Sequence, residues 1–200
     1  MFDNIERIAV FDFDGTLYKK NSILSFCYFY YCKKPLRLWR IFMQLFAWGL
    51  WKTKRINTTI FKARFICFIA SDSSGEVERM AILFWENRPE FNEEILLALK
   101  RCQSDSLCPV VISASPDLFI LPACKKLGIK YVIATKLLIQ NGCYSLGKNC
   151  RGLEKITRLK EVFPTQTVAI AYSDNNDDLP LLRSAEHGFI VKNGCIISEI

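Results

Sequence analysis

Two hundred residues, half of them hydrophobic and about a quarter charged, suffice for one substantial core and exclude a low-complexity or disordered chain. A single histidine, His187, and nine cysteines without a Cys-x-x-Cys pair argue against a structural zinc site and for free thiols in a reducing cytosol. The start, Met-Phe-Asp-Asn-Ile-Glu, is acidic and has no apolar run, so a cytoplasmic chain without a signal peptide is expected.

The net charge of +7 is unevenly spread. Between Gly15 and Ser71 lie eleven Lys or Arg and no Asp or Glu, whereas the remainder carries sixteen basic and twenty acidic residues. The same stretch holds fourteen of the twenty-six aromatics. A shift of this kind marks a separate unit inserted after the first strand.

The first strand is expected over Arg7–Phe13 and delivers Asp12 and Asp14, spaced by two, to a turn at Gly15. Two carboxylates at one strand end are costly to bury without cations or hydrogen bonds, so they suggest chemistry; an acidic surface loop is the plainer alternative. An apolar, aromatic run follows from Asn21 to Cys32, broken by Lys33-Lys34-Pro35, and a second from Leu36 to Trp51. In that second run Arg37, Arg40, Gln44 and Lys52 fall within an arc of about 120°, leaving Trp39, Phe42, Phe46 and Trp48 on the apolar remainder. The run is too short and interrupted to cross a bilayer but long enough to lie in its interface.

Ser73-x-x-Glu76 reads as a capping box opening a helix to about Asn87. Pro89 then permits a helix over about Glu90–Cys102. Pro109–Ser113 is an apolar strand, Ser115-Pro116-Asp117 starts a helix that Gly128 stops, and Lys130–Ala134 is a further strand. Asn141-Gly142 between Leu137–Gln140 and Cys143–Leu146 signals a hairpin. A helix over about Leu153–Val162 precedes a strand at Thr167–Tyr172, and Gly188–Val191 is expected as the last strand. Strands alternating with helices indicate an α/β protein with a parallel sheet covered on both faces.

Ligands of such sheets gather at the carboxyl ends of strands. Those ends carry Asp12 and Asp14, Ser113 and Ser115, then Ser173 and Asp174 with Asp178 just beyond, and Lys155 precedes the last group. Three carboxylate positions suit a hard cation such as Mg²⁺, and a hydroxyl with a lysine suits a phosphoryl group.

These residues resemble the motifs of the haloacid dehalogenase superfamily, in its phosphoserine-phosphatase-like branch. Asp12-Phe-Asp14-Gly15-Thr16 is similar to the first motif and Val110-Val-Ile-Ser113 to the second. Lys155 in Cys150-Arg-Gly-Leu-Glu-Lys155 matches the third, and Tyr172-Ser173-Asp174-Asn175-Asn176-Asp177-Asp178 the fourth. The resemblance implies a Rossmann-like three-layer α/β/α core over 1–17 and 104–200, with a small α-helical cap over 18–103. It implies a phosphatase in which Asp12 is the nucleophile and Asp14 the acid and base. Thr16, Ser113 and Lys155 would bind phosphate. Mg²⁺ would be held by Asp12, the Asp14 carbonyl and Asp174, with Asp178 orienting the metal's water shell or Lys155; Asp177 is its rival, though spacing favours Asp178. Ser173 and Asn175 depart from the commoner glycine and serine without removing a ligand. Ser115 would lie near substrate or cap the following helix, and His187 is expected at the surface or in packing.

In related phosphoserine phosphatases an acidic residue soon after the first motif grips the substrate amine; here stand Lys19, Lys20, Asn21 and Ser22, which disfavours an amino-acid phosphate. The basic, aromatic cap and the phrases around Cys150 and Tyr172 resemble a bacterial subgroup that includes phosphatidylglycerophosphate phosphatases. That resemblance implies a lipid-linked phosphomonoester and a peripheral position on an anionic membrane. The alternatives are a soluble enzyme for a small metabolite such as a sugar phosphate, and a non-catalytic binding module. The cap aromatics would then form its own core or a homodimer face. Nucleic-acid binding is disfavoured, although basic and aromatic residues interleave.

Overall fold

The computed structural model describes residues 5–87, 90–140 and 143–200. Six strands form the central sheet in the order β3-β2-β1-β6-β7-β8: β1 (Arg7–Phe11), β2 (Cys108–Pro116), β3 (Tyr131–Thr135), β6 (Thr167–Ser173), β7 (His187–Lys192) and β8 (Cys195–Glu199). The first five are parallel, and β8 returns antiparallel to β7. β1 lies between β2 and β6, so the chain reverses its direction of winding there and opens a crevice at the strand ends.

Alternation along β1 divides the core. Ala9 and Phe11 join one apolar cluster, and Ile8 and Val10 the other on the opposite face. The second cluster is closed by Leu159 and Phe163 around α7 (Leu153–Val162) and by Leu181 and Leu182 of α8 (Leu179–Leu182). The first runs without interruption from the sheet into the inserted segment. That segment comprises α1 (Ser22–Lys33), α2 (Arg40–Lys52), α3 (Thr58–Phe65), α4 (Ser74–Asn87) and α5 (Glu93–Ser104), with short 3₁₀ turns at Pro35–Arg37 and Ile66–Ile69. α5 packs against β2 and β8, so this helix lies on the core sheet although it falls within 18–103. α6 (Asp117–Lys126) packs against α4 and completes that layer.

Local chemistry explains most boundaries. Asn21 caps α1 by accepting from the Leu24 amide, and Asn57 caps α3 through the Ile60 amide. Ser73 accepts from the Glu76 amide, but the Glu76 carboxylate turns to Arg79 and Lys34 rather than back to the cap, so half of the capping box forms. Gly128, at φ +73°, ends α6. β4 (Leu137–Gln140) and β5 (Cys143–Leu146) pair antiparallel as the hairpin signal predicts; Asn141-Gly142 itself, like Pro89, lies outside the described residues.

Two expectations are corrected. The first strand ends at Phe11, because Asp12 to Thr16 already form the turn. Gly188–Val191 is not the last strand: Asn193 and Gly194, both at positive φ, fold the chain back into β8. Periodicity leaves the facing of the polar arc open, and the structure turns it inward apart from the exposed Lys52. Gln44 is buried, donates to the Phe65 carbonyl and accepts from the Tyr31 hydroxyl. Arg37 and Arg40 reach the carbonyls of the 3₁₀ turn after α3, and Arg37 also pairs with Asp72. The backbone groups they satisfy would otherwise be orphaned, which reverses the orientation that hydropathy alone dictates.

Candidate active site

The first turn brings both aspartates to the crevice. Asp12 is buried, and its Oδ1 accepts from the Phe13 amide at 2.8 Å and pairs with Lys155 Nζ at 2.9 Å. Its Oδ2 has a looser neighbour, Ser173 Oγ at 3.4 Å, whose proton goes to Asp178 at 2.6 Å. One oxygen of Asp12 is therefore clamped and the other is held only by the looser contact.

Lys155 enters from the first turn of α7, is 2% exposed, and bridges Asp12 to Asp178 Oδ2 at 2.6 Å. Burial alone would lower its pKa, but the charges of Asp12 and Asp178 outweigh burial and hold it above the ordinary value. The two carboxylates thus favour the charged form of Lys155 at the strand ends. Burial is also the leading influence on Asp12, raising its carboxyl against the pull of Lys155. Asp177 is exposed and pairs with Arg151, so the buried partner of the lysine is Asp178.

Asp14 is held by the inserted segment. The amide of Ser22, first residue of α1, donates to its Oδ1 at 2.9 Å, and Ser115 Oγ donates to its Oδ2 at 2.6 Å. Ser22 Oγ in turn donates to Ser115 Oγ at 2.8 Å. Burial pushes the Asp14 carboxyl up, although both serines oppose that shift. Ser115 does not cap α6: Pro116 takes the cap position and makes no side-chain cap bond. Ser113 Oγ accepts from the Ser115 amide, which leaves its own hydrogen to donate into the crevice.

Thr16 is buried with its hydroxyl turned to the fourth motif, accepting from the Asp174 amide at 3.0 Å. Asp174 lies so close to the first turn that a Cβ on Gly15, at φ +76°, would stand 2.0 Å from its Oδ2. Partial burial and the charge of Asp12 push the Asp174 carboxyl up to about 6. Four aspartates thus gather near one buried lysine, which pairs with Asp12 and Asp178 only, and among the described residues Asp178 Oδ1 is a buried acceptor without a partner. A site so short of positive charge, offering only oxygen donors, fits a hard divalent cation. No group of three or more side-chain ligands forms among the described residues. The cation would rest on Asp12, Asp174 and the backbone carbonyl of Asp14, as Mg²⁺ commonly does with one or two carboxylates.

Three contributors escape the sequence reading. Ser22 and Lys62 reach the site from the inserted segment, and Asn92 braces the first turn by donating to the Thr16 carbonyl at 2.5 Å. Lys62 Nζ, on α3, bonds the Ala114 carbonyl at 3.0 Å and Asn149 Oδ1 at 3.1 Å. Burial lowers its pKa to about 8, against the opposing charges of Asp14 and Asp12. Only long-range packing joins these residues to the strand ends; the lack of acidic residues around Lys62 is the nearest signal in the sequence. His187 is exposed and pairs with Glu199, away from the crevice.

The profile of the haloacid dehalogenase-like hydrolases matches residues 9–183. Protein CicA of Caulobacter vibrioides is 29% identical over 196 residues, covering 94% of this chain and 87% of its own. A probable phosphatase of Mycobacterium tuberculosis is 25% identical over 213 residues, covering 92% of this chain and 68% of its own. A phosphoserine phosphohydrolase-like protein of Francisella tularensis shares the fold with a TM-score of 0.60 at 18% identity, over 90% of this chain and 85% of that one. The chain belongs to the haloacid dehalogenase-like hydrolase family.

Proposed function

We propose that this hydrolase is a phosphatase that cleaves phosphomonoesters through a phosphorylated Asp12, with Mg²⁺ as its cofactor. The observation that carries this reading is the asymmetry of Asp12, one oxygen clamped by Lys155 and Phe13 and the other only loosely held, at 3.4 Å from Ser173 Oγ. Asp12 Oδ2 attacks phosphorus, the ester P–O bond breaks, and the leaving oxygen takes the proton that Asp14 carries. Asp14, now a carboxylate, removes a proton from water, and that water attacks the same phosphorus. The acyl-phosphate bond breaks, phosphate leaves, and Asp12 is restored. Lys155 and Ser113 meet charge on the phosphoryl oxygens. Thr16, whose hydroxyl meets Asp174, steadies that loop. Asp178 orients Lys155. Bound Mg²⁺ supplies neutralisation of phosphoryl charge.

We infer a lipid-linked phosphomonoester as the preferred substrate. The 3₁₀ turn and α2 present Leu36, Phe42 and Phe46 to the outside, and Lys19, Lys20, Asn21 and Ser22 follow the first motif in place of an acidic residue. A small metabolite phosphate is the second reading, favoured by the aromatics of α1, which are buried in the cap itself: Phe26, Phe29, Tyr30 and Tyr31. A hydrolysis screen with Mg²⁺ across detergent-dispersed lipid phosphates and soluble sugar phosphates separates the two. A higher kcat/KM for sugar phosphates would refute the lipid reading, and loss of no activity in EDTA would refute the metal.

A further inference from the structure

Helix α2 is built inside out. Its inward stripe starts at half-buried Arg37 in the preceding 3₁₀ turn and runs through half-buried Arg40 to buried Gln44 and Ala47; it is mostly polar and spends its hydrogen bonds on the cap interior. Its outer face is apolar: Phe42 is 76% and Phe46 68% exposed, flanked by Trp39, Met43, Leu45 and Trp48. A helix solvated by water on its outer side carries the opposite arrangement. A contiguous apolar face of this kind marks a surface that meets something other than water. The face continues into a cavity of about 730 Å³ between α2 and α3, lined by Phe42, Phe46, Ala63, Cys67 and Tyr144, with Arg64 among its walls.

Its surroundings say what covers it. Lys33, Lys52, Lys54, Arg55 and Arg64 are exposed around the helix ends, and the sequence from Thr16 to Ser71 contains no carboxylate. Lys52 stands over the rings of Trp48 and Trp51 at 5.8 and 5.7 Å, at the junction of the apolar and cationic zones. Two copies joined face to face would set these cations against one another with no acid in the segment to pair them. An anionic lipid surface complements both features, taking the aromatics at headgroup depth and the cations at its phosphates. No helix among the described residues is long and apolar enough to cross a membrane.

We propose that the outer face of α2 docks the protein onto anionic phospholipid bilayers. α3 packs along α2 and its Lys62 reaches the strand ends, so the docked face lies one helix from the crevice. The inference deepens the lipid-ester reading by naming the surface on which that substrate would be met, but its test needs no turnover.

The test is flotation of the full chain with vesicles of phosphatidylcholine containing about 30% phosphatidylserine, at low and high salt. The expected result is flotation at low salt, weakened by salt and by omission of phosphatidylserine. Phe42→Ser/Phe46→Ser should cut bound protein by at least about tenfold while hydrolysis of soluble p-nitrophenyl phosphate is unchanged. Because both side chains are exposed, that unchanged hydrolysis also reports an intact fold. Asp12→Asn should still float, so failure of the catalytic reading is distinguishable from failure of this one. Absence of flotation at low salt, or equal flotation of wild type and the double variant, overturns the proposal. So does a stable dimer that the double variant dissolves, if flotation is also absent.

Discussion

Ser115 Oγ lies 2.6 Å from Asp14 Oδ2, and the hydroxyl of Ser22 donates to the same Ser115 oxygen. The carboxylate assigned as acid and base is thereby held on one side by β2 and on the other by the first amide of α1. The inserted segment thus reaches the carboxylate to which we assign proton transfer.

Removing that restraint should cost proton delivery more than binding. Ser115→Ala is expected to lower kcat about tenfold on an alkyl phosphate, the value of one hydrogen bond to a charged group, with KM little changed. On p-nitrophenyl phosphate, whose leaving group needs little help from an acid, the loss should be smaller. Steady-state kinetics on the two esters checks this; equal losses would mean that Ser115 does not position Asp14.

Lys155 neutralises two buried carboxylates, so its removal strands both. Lys155→Met should destabilise the fold by about 3–5 kcal/mol, the usual consequence of breaking a buried pair from one side. Urea denaturation of the metal-free protein measures it. A change below about 1 kcal/mol would indicate that Asp12 and Asp178 are hydrated and not paired as described.

Asp174 sets a pH dependence whose sign follows from its raised carboxyl. Its pKa is about 6 in the folded chain against an ordinary value of 3.8, so between those values the native state holds more protons than the unfolded one. The contribution of this group therefore makes the metal-free protein lose stability as pH rises through that window. Mg²⁺ competes with the same proton, so the concentration for half-maximal activity should rise below pH 6, by up to about tenfold per unit. Thermal melts with EDTA and Mg²⁺ titrations at several pH values test both halves.

Lys62 carries its charge to the crevice from α3, and burial has lowered its pKa to about 8. As pH rises through that value the cation is lost, and KM for phosphate esters should rise several-fold. Lys62→Arg, charged at every accessible pH, should flatten that limb of the KM profile. An unchanged limb in Lys62→Arg would assign it to another group.

Much of this site was legible in the chain. β-branched runs ending in Asp12, Ser113 and Ser173 announce strand ends, and a parallel sheet gathers such ends in one crevice. Asp178 rather than Asp177 was readable from spacing, and the Lys155 bridge agrees. Ser22, Lys62 and Asn92 were not legible, because no local pattern says which residue of an inserted helix will meet a strand end a hundred residues away. Periodicity located the arc of Arg37, Arg40 and Gln44, but hydropathy assigns such an arc to water. The unpaired carbonyls after α3 claimed it instead. β8 was missed despite Asn193-Gly194, a turn signal lying in plain view.

The central claim is that Asp12 becomes phosphorylated during turnover. Acid quenching of the protein with Mg²⁺ and a labelled phosphomonoester, followed by peptide mapping, measures it directly. The account predicts label on the peptide containing Asp12, and neither label nor hydrolysis in Asp12→Asn. Hydrolysis at the wild-type rate by Asp12→Asn, or label on a different residue, would contradict it.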